Sequence, residues 1–192
     1  MVSYPVRTRR FSREEYERLI DLGLFQPGEA IELIGGELLV AEPQGARHYT
    51  ALAQTARVLE EAFGPGWHTR TQAPIGLDAD SEPEPDVAVV AGTLADYGRA
   101  HPSRPALTVE VADSSLAADR ELKGSLYARA GLTDYWILNL ADRVLEVYRE
   151  PTTDPAAPFG WRYARVEIFD ASMRVTPLAA PDASVPVSRL LP

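Results

Sequence analysis

Two acidic residues in apolar surroundings and one lysine are the residues of this sequence best suited to chemistry. Asp86 opens the apolar stretch PDVAVV, and Glu110 lies between two valines in LTVEVA. An ionised carboxylate in a buried strand is unfavourable unless it is paired or bound to a metal. Two carboxylates that converge form a hard oxygen site, which suits Mg²⁺ or Mn²⁺. The pattern therefore predicts Asp86 and Glu110 as metal ligands.

Lys123 is the only lysine in a chain whose Lys and Arg residues number 19. A compact amine beside a metal site can stabilise an attacking hydroxide or a phosphate in the transition state. Lysine suits that role because its pKa falls readily on desolvation, whereas a guanidinium stays protonated. Two other interpretations stay open: Asp119 and Lys123 have the spacing of an exposed helical ion pair, and Asp86 after Pro85 is typical of a turn.

Composition and charge restrict the class of protein. The 192 residues include no cysteine, so disulfides, thiolate chemistry and Cys-ligated zinc are excluded. Neither a signal-peptide stretch nor an apolar run of about 18 residues is present, so we expect a cytoplasmic protein without a membrane span. The net charge of −9 argues against bulk attraction to nucleic acid. Arg7, Arg9, Arg10 and Arg13 form a local basic segment, either a solvated arm or a binding patch.

The elements that must position these residues follow from hydrophobic spacing and turn signals. Ser12 and Glu15 form a capping box that opens a helix, and Gly35-Gly36 marks a hairpin. A second helix is predicted in RHYTALAQTARVLEEAF and a third from Ser115 to Gly131. Strands are predicted in EPDVAVVAG, PALTVEVAD, DYWILNL, RVLEVYRE and WRYARVEIF, and the Pro-rich EPTTDPAAP is predicted to be a surface loop.

This order predicts one domain over residues 1–192 of the α/β (α+β mixed) class. We expect a central mixed β-sheet flanked by helices, with an N-terminal helix and hairpin. The alternation of helices and strands is irregular, and no Gly-rich nucleotide-binding motif is present. A doubly wound nucleotide-binding fold is therefore not expected.

The ordered set of motifs resembles the Uma-type endonuclease family of the PD-(D/E)xK restriction-endonuclease-like superfamily. The strings that carry the resemblance are EPDVAVV, LTVEVADSS and DRELKGSLYARAGLTDYWILN, with further likeness from FSREEYERL to EVYRE. The resemblance implies a restriction-endonuclease-like core, dependence on Mg²⁺ or Mn²⁺, cleavage of DNA phosphodiesters and a homodimer.

Site residues are carried over by position. Asp86 matches the aspartate of the PD element and Glu110 the acidic residue of the second element. Ala112 stands where the parent triplet has its lysine, and Lys123 matches the position that the Uma-type pattern uses in the following helix. An N-terminal acid commonly completes such sites, and Glu32 and Glu37 both qualify, with a slight preference for Glu32.

His48 aligns with a position that is often histidine in this family. A helix-start residue with a local hydrogen bond is an equally good interpretation of His48.

The sequence therefore supports a Mg²⁺-dependent endonuclease that cleaves DNA through a metal-activated water. A catalytically silent nucleic-acid-binding or assembly module on the same fold is the main alternative. A small-molecule phosphodiesterase that uses the same metal is a weaker one.

Overall fold

The computed structural model describes residues 8–26, 28–41 and 44–192. Arg7 of the basic segment lies outside these residues. The chain begins with α1 (Arg13–Asp21), the hairpin β1 (Ile31–Ile34) and β2 (Glu37–Val40), and α2 (Ala46–Phe63). The predicted capping box is present: the Ser12 hydroxyl accepts a hydrogen bond from the Glu15 N–H at 3.2 Å, and the Glu15 carboxylate accepts one from the Ser12 N–H at 3.0 Å.

A six-stranded mixed sheet forms the centre of the structure, as predicted. Its strands lie in the order of the chain: β3 (Trp67–Thr71), β4 (Val87–Ala91), β5 (Leu107–Ala112), β6 (Asp134–Asn139), β7 (Val144–Thr153) and β8 (Trp161–Asp170). Only β5 and β6 are parallel, and the other neighbours are antiparallel. The segment between β5 and β6 is therefore a crossover, and it contains the third predicted helix.

Helices cover the two faces of the sheet. Residues Val87, Val89, Val109 and Val111 belong to a core that includes the apolar side of α2. Ala88 and Ala112, which alternate with those valines, belong to a second core that includes Tyr127 and Tyr135. Because side chains alternate along a strand, Glu110 lies on the side of the crossover helix, opposite to its valine neighbours.

The crossover helix is not regular. It consists of α3 (Leu116–Ala118), a π-helical segment (Asp119–Lys123) and α4 (Gly124–Arg129). In the π-helical segment the Gly124 N–H donates to the Asp119 carbonyl five residues earlier, and the Tyr135 hydroxyl donates to the same carbonyl at 2.9 Å. A Cβ at residue 124 would lie 3.3 Å from that carbonyl oxygen, so glycine permits the close approach. Segments of π-helix are frequent at functional sites.

The C-terminal region departs from prediction in one place. The Pro-rich stretch was predicted to be entirely loop, but β7 continues through Thr153, because Thr152 and Thr153 pair with Arg162 and Trp161 of β8. The chain ends with β9 (Arg174–Val175), β10 (Val185–Pro186) and a 3₁₀ turn. Within residues 8–26, 28–41 and 44–192, no helix has both the length and the apolar character needed to cross a membrane.

A buried carboxyl group joins the hairpin to the loop before β4. Glu82 is 1% exposed, and its backbone pairs with that of Leu33 in β1. Burial, and then the neighbouring carboxylate of Glu17, raise the pKa of Glu82 to about 7. The folded protein therefore holds a proton at Glu82 that the unfolded chain releases near pH 4.3.

This proton makes stability depend on pH in a defined direction. A raised carboxyl pKa stabilises the fold fully below pH 4.3, and the contribution is lost as the pH rises to about 7. In Glu82→Gln the free energy of unfolding should therefore fall by roughly 1–3 kcal/mol less than in the native protein over this pH range. Urea denaturation from pH 4.5 to 7.5 measures it, with Glu60→Gln on the exposed side of α2 as the control. Parallel pH profiles for Glu82→Gln and the native protein would contradict the prediction.

Candidate active site

Asp86 and Glu110 lie side by side at the ends of neighbouring strands. Val87 and Val109 face each other in the antiparallel β4–β5 pair, and Asp86 and Glu110 are the next residues beyond them. The Asp86 N–H points to Glu110 Oε2 at 3.5 Å, and the Val111 N–H donates to Asp86 Oδ2 at 2.8 Å. Both acids are buried, at 7% and 2% exposure. Their spacing along the strands thus brings two carboxyl groups together, as the sequence predicted.

Lys123 returns over these strand ends from the crossover helix. Its Nζ lies 3.2 Å from Glu110 Oε1 and 3.5 Å from Glu32 Oε1. Asp119 is buried beside it and accepts a hydrogen bond from the Ser115 hydroxyl at 2.5 Å. The alternative of an exposed helical Asp119–Lys123 pair is therefore wrong, because both side chains turn inward to the acidic cluster.

The charge state of Lys123 differs from the sequence-based argument. Burial alone lowers the pKa of Lys123, but the carboxylates of Glu110, Glu32, Asp119 and Asp86 outweigh it and the net pKa rises. The expectation that desolvation would lower this pKa is therefore wrong. The raised pKa favours the ammonium form of Lys123, which donates hydrogen bonds and supplies positive charge.

His48 contacts Asp86 directly. Its Nε2 lies 3.1 Å from Asp86 Oδ2, and since a carboxylate only accepts, Nε2 carries the proton. Burial by itself lowers the pKa of His48, but the hydrogen bond to Asp86 and that carboxylate's charge raise it overall. His48 thus contacts Asp86, a predicted metal ligand. Its position near the start of a helix predicted equally well that it would make only a local hydrogen bond.

The structure separates the two N-terminal glutamates. Glu32 is buried and contacts Lys123, whereas Glu37 is exposed and pairs with Arg10 at 2.9 Å. Glu37 therefore lies outside the cluster. Arg10 belongs to the basic segment and is paired with Glu37. Arg9 and Arg13 of the same segment pair with Glu15 and Glu17. None of these three arginines lines the cavity at the site.

The acidic cluster around Lys123 lines an open cavity of about 420 Å³. The acidic side chains in its wall are Glu32, Glu84, Asp86, Glu110, Asp113 and Asp119. Sequence reasoning did not single out Glu84, because SEPEPD has the composition of an exposed loop. Burial raises the pKa values of Glu84 and Asp119. A cavity with this excess of carboxylates attracts cations.

Tyr127 makes a buried hydrogen bond to Glu110. Its hydroxyl donates to Glu110 Oε1 at 2.7 Å, the oxygen that also faces Lys123. Tyr127 is fully buried. The Tyr127 hydroxyl thus provides a hydrogen-bond donor to Glu110 Oε1, and this contact fixes the orientation of the Glu110 carboxylate.

Removing this hydroxyl should destabilise the protein without disturbing packing. Tyr127→Phe leaves Glu110 Oε1 with the ammonium group as its remaining near donor, so the free energy of unfolding should fall by about 1–3 kcal/mol. Urea denaturation measures the change. Tyr97→Phe is the control, since the Tyr97 hydroxyl makes an exposed hydrogen bond to Ala91. Equal stability of Tyr127→Phe and the native protein would contradict this account.

The donor set is compatible with a divalent cation that keeps most of its water. Asp86 uses Oδ2 for Val111 and His48, while Oδ1 has only a long contact of 3.4 Å from Gln44. Mg²⁺ is commonly bound through one or two carboxylates and several waters. Among the residues that the structure describes, no three His, Asp or Glu side chains are arranged to hold a metal by themselves. Asp86 and Glu110 can therefore supply the one or two carboxylates that Mg²⁺ requires, with water molecules as its remaining ligands.

A protein of known structure has a similar fold. The structure matches a crystal structure described as "a putative nuclease belonging to DUF820" from Anabaena variabilis ATCC 29413. The two chains are 18% identical, the TM-score is 0.67, and the match covers 94% of this chain and 97% of the other. The two chains therefore share one fold, and its central mixed sheet flanked by helices is the architecture that the sequence predicted.

A family model described as "Uma2: Putative restriction endonuclease" matches residues 13–188. The chain belongs to this family. No curated protein sequence matched the chain.

Proposed function

We propose that the protein is a metal-dependent endonuclease that hydrolyses DNA phosphodiester bonds. The observation that carries the proposal is the meeting of Asp86, Glu110 and Lys123 in one open acidic cavity. The family and the fold support a nuclease, and the cavity supplies a place for the reaction. Its openness to solvent suits a polymer substrate better than a small enclosed ligand.

Asp86 and Glu110 would hold the cation. A bound Mg²⁺ or Mn²⁺ neutralises phosphate charge and lowers the pKa of a water molecule. The residues of the chain do the remaining work. His48 and the Val111 N–H orient Asp86, and Tyr127 orients Glu110. Because Lys123 stays protonated, we assign it to hydrogen bonding and to charge stabilisation at the reacting phosphate.

Glu32 has a separate role in this proposal. It contacts the ammonium group from the hairpin strand β1, whereas Asp86 and Glu110 come from the ends of β4 and β5 in the central sheet. Holding Lys123 between Glu32 and Glu110 limits the positions that its flexible side chain can take. We infer that Glu32 positions the ammonium group rather than the metal.

A plasmid-nicking assay tests the function directly. The native protein should convert supercoiled DNA to nicked and linear forms with Mg²⁺ or Mn²⁺, and EDTA should stop the reaction. Parallel incubations with RNA and with a soluble aryl phosphodiester separate a DNA enzyme from the other candidates. Hydrolysis of the soluble ester alone would identify a small-molecule phosphodiesterase. DNA binding without cleavage of any substrate would identify a silent binding module and overturn the proposal.

The location and assembly belong to the same proposal. We expect a cytoplasmic enzyme formed by a single domain over residues 1–192. We also expect a homodimer, because a duplex presents two strands to be cut.

A further inference from the structure

Strand β8 forms one edge of the central sheet. It is ten residues long, and β7 is its neighbour on one side only. Its residues Ala164 to Val166 are all exposed, and the apolar side chains of Val166 and Ile168 are 48% and 62% exposed. Within the part of the chain that the structure describes, backbone groups from Arg162 to Phe169 make no backbone hydrogen bonds outside the β7–β8 ladder. A long edge with exposed apolar residues is a surface for pairing with another strand.

The sequence of β8 is complementary to itself when it is read in the opposite direction. A two-fold axis at Val166 brings unlike charges together and apolar residues together in an antiparallel pair. The facing residues are Arg162–Asp170, Tyr163–Phe169, Ala164–Ile168 and Arg165–Glu167, and Val166 faces its own copy. A two-fold interface requires this kind of self-complementary patch.

The two sides of this arrangement are chemically consistent. Since side chains alternate along a strand, Ala164, Val166 and Ile168 share one side, with Arg162 and Asp170 at its ends. Arg165 and Glu167 lie on the other side together with Phe169, which packs against the α2 core, whereas Tyr163 packs in the core on the opposite face. Each side of the pair would thus place apolar contacts next to opposite charges, which stabilises antiparallel strands.

We propose that β8 pairs with β8 of a second copy of this chain, which joins two six-stranded sheets into one continuous sheet. Charge complementarity favours a second copy of this chain as the partner of β8, because a shift of the two-fold centre by one residue breaks the two opposite-charge pairs. In the single chain the same charges have exposed partners: Arg165 contacts Glu167 at 2.9 Å and Arg162 contacts Asp154 at 3.1 Å. Such exposed ion pairs are weak and can exchange for contacts between copies.

Charge reversal at the centre of β8 tests the pairing. Arg165→Glu alone and Glu167→Arg alone each place two like-charge pairs across the axis, and each should weaken dimerisation about ten- to a thousandfold. An equimolar mixture of the two variants restores opposite charges, so it should form heterodimers. The double variant Arg165→Glu with Glu167→Arg should form homodimers again. Analytical ultracentrifugation from 1 to 100 µM gives the dissociation constants.

The control is Arg18→Glu, which reverses a charge in an exposed pair with Glu14 on α1. Circular dichroism checks that every variant is folded. Rescue by the mixture and by the double variant supports the β8 interface, because a general effect of charge would not be restored. A native protein that is monomeric at 100 µM overturns the proposal, and so does a dimer that neither single reversal weakens.

A cysteine crosslink gives an independent test, because the chain contains no cysteine of its own. Val166→Cys would place two thiols opposite each other at the axis, where a cross-strand disulfide can form. Mild oxidation should give a covalent dimer of 42 kDa, twice the 21.0 kDa chain, while Leu94→Cys at an exposed position away from β8 should stay monomeric. Equal crosslinking of the two variants would overturn the interface. Neither test depends on DNA cleavage, so failure of the dimer and failure of the nuclease proposal are distinguishable.

Discussion

Lys123→Met is expected to reduce DNA cleavage by about 100- to 1,000-fold, which is the typical effect of losing one charge-stabilising donor in an active site. The methionine side chain fills similar space but has neither the positive charge nor the hydrogen-bond donors. Lys123→Arg should not restore the rate, because a planar guanidinium differs in shape from the ammonium group that fits between Glu110 and Glu32. The plasmid-nicking rate at saturating Mg²⁺ measures both effects.

Loss of the ammonium group also affects folding, and this effect must be separated from catalysis. Lys123→Met leaves two buried carboxylates without their cation, so the protein should lose about 3–5 kcal/mol of stability at pH 8. The double variant Lys123→Met with Glu110→Gln removes both members of the closest pair. Its stability should return towards the native value, but its cleavage should not. Arg18→Met on the exposed side of α1 is the control for a change from a cation to methionine.

The account of Lys123 would be contradicted by either of two results. Cleavage by Lys123→Met at the native rate would remove the ammonium group from the reaction. Recovery of cleavage in the double variant would show that the single change acted only through folding. Loss of cleavage by Lys123→Met at a temperature where its unfolding curve shows a fully folded protein supports a role of the ammonium group in the reaction, while the double variant tests only its contribution to stability.

The central part of the site could be predicted because it depends on local rules. Alternation along β5 sets the side of the sheet on which Glu110 lies, since its valine neighbours occupy the opposite core. The antiparallel register of β4 and β5 then places Asp86 beside it. The interval from Glu110 to Lys123 allowed a return over the strand end, and the structure has that contact at 3.2 Å. These three positions follow from strand order and from lengths that the sequence reveals.

The rest of the site depends on packing between distant segments. Glu32 and Glu37 each precede a leucine in one hairpin, so local pattern treats them alike. What separates them is the pairing of Leu33 with Glu82, which buries β1 against the loop before β4. The same packing buries Glu84 in a stretch whose composition is typical of an exposed loop. No property of single residues reveals either event.

The charge state of Lys123 could not be predicted for a related reason. Its pKa depends on how many carboxylates surround it, and the sequence predicted Asp86, Glu110 and, with a slight preference over Glu37, Glu32. The structure adds Asp119 to these three, and the combined charge of the four carboxylates reverses the effect of burial. The π-helical segment is equally hidden, because a hydrogen bond from Gly124 to Asp119 rather than to its usual partner leaves no distinct residue pattern. Geometry of this kind emerges only in the folded chain.

Asp86→Asn is expected to abolish binding of the divalent cation, with a loss of at least about 100-fold in affinity and a matching loss of cleavage. The reason lies in the two oxygens of Asp86. Oδ2 accepts hydrogen bonds from the Val111 N–H and His48, and Oδ1 is the oxygen left for a cation. An asparagine that keeps the bond to Val111 turns its NH₂ group towards the cation, and the flipped amide sets NH₂ against the Val111 N–H. Both orientations therefore lose an interaction.

Calorimetric titration with Mn²⁺, together with the nicking assay, measures this loss. Asp113→Asn is the matched control, because Asp113 also borders the cavity but is partly exposed and pairs with Arg47 at 3.4 Å. We expect Asp113→Asn to bind Mn²⁺ within about threefold of the native protein, since a single exposed charge contributes less than about 1 kcal/mol. Equal Mn²⁺ affinity of Asp86→Asn and Asp113→Asn would show that Asp86 does not bind the metal. Because hydrogen bonds of Asp86 reach β5 through Glu110 and Val111 and α2 through His48, thermal unfolding of Asp86→Asn must be measured alongside. A normal melting temperature with no Mn²⁺ binding would assign the loss to the missing carboxylate oxygen rather than to a disturbed fold.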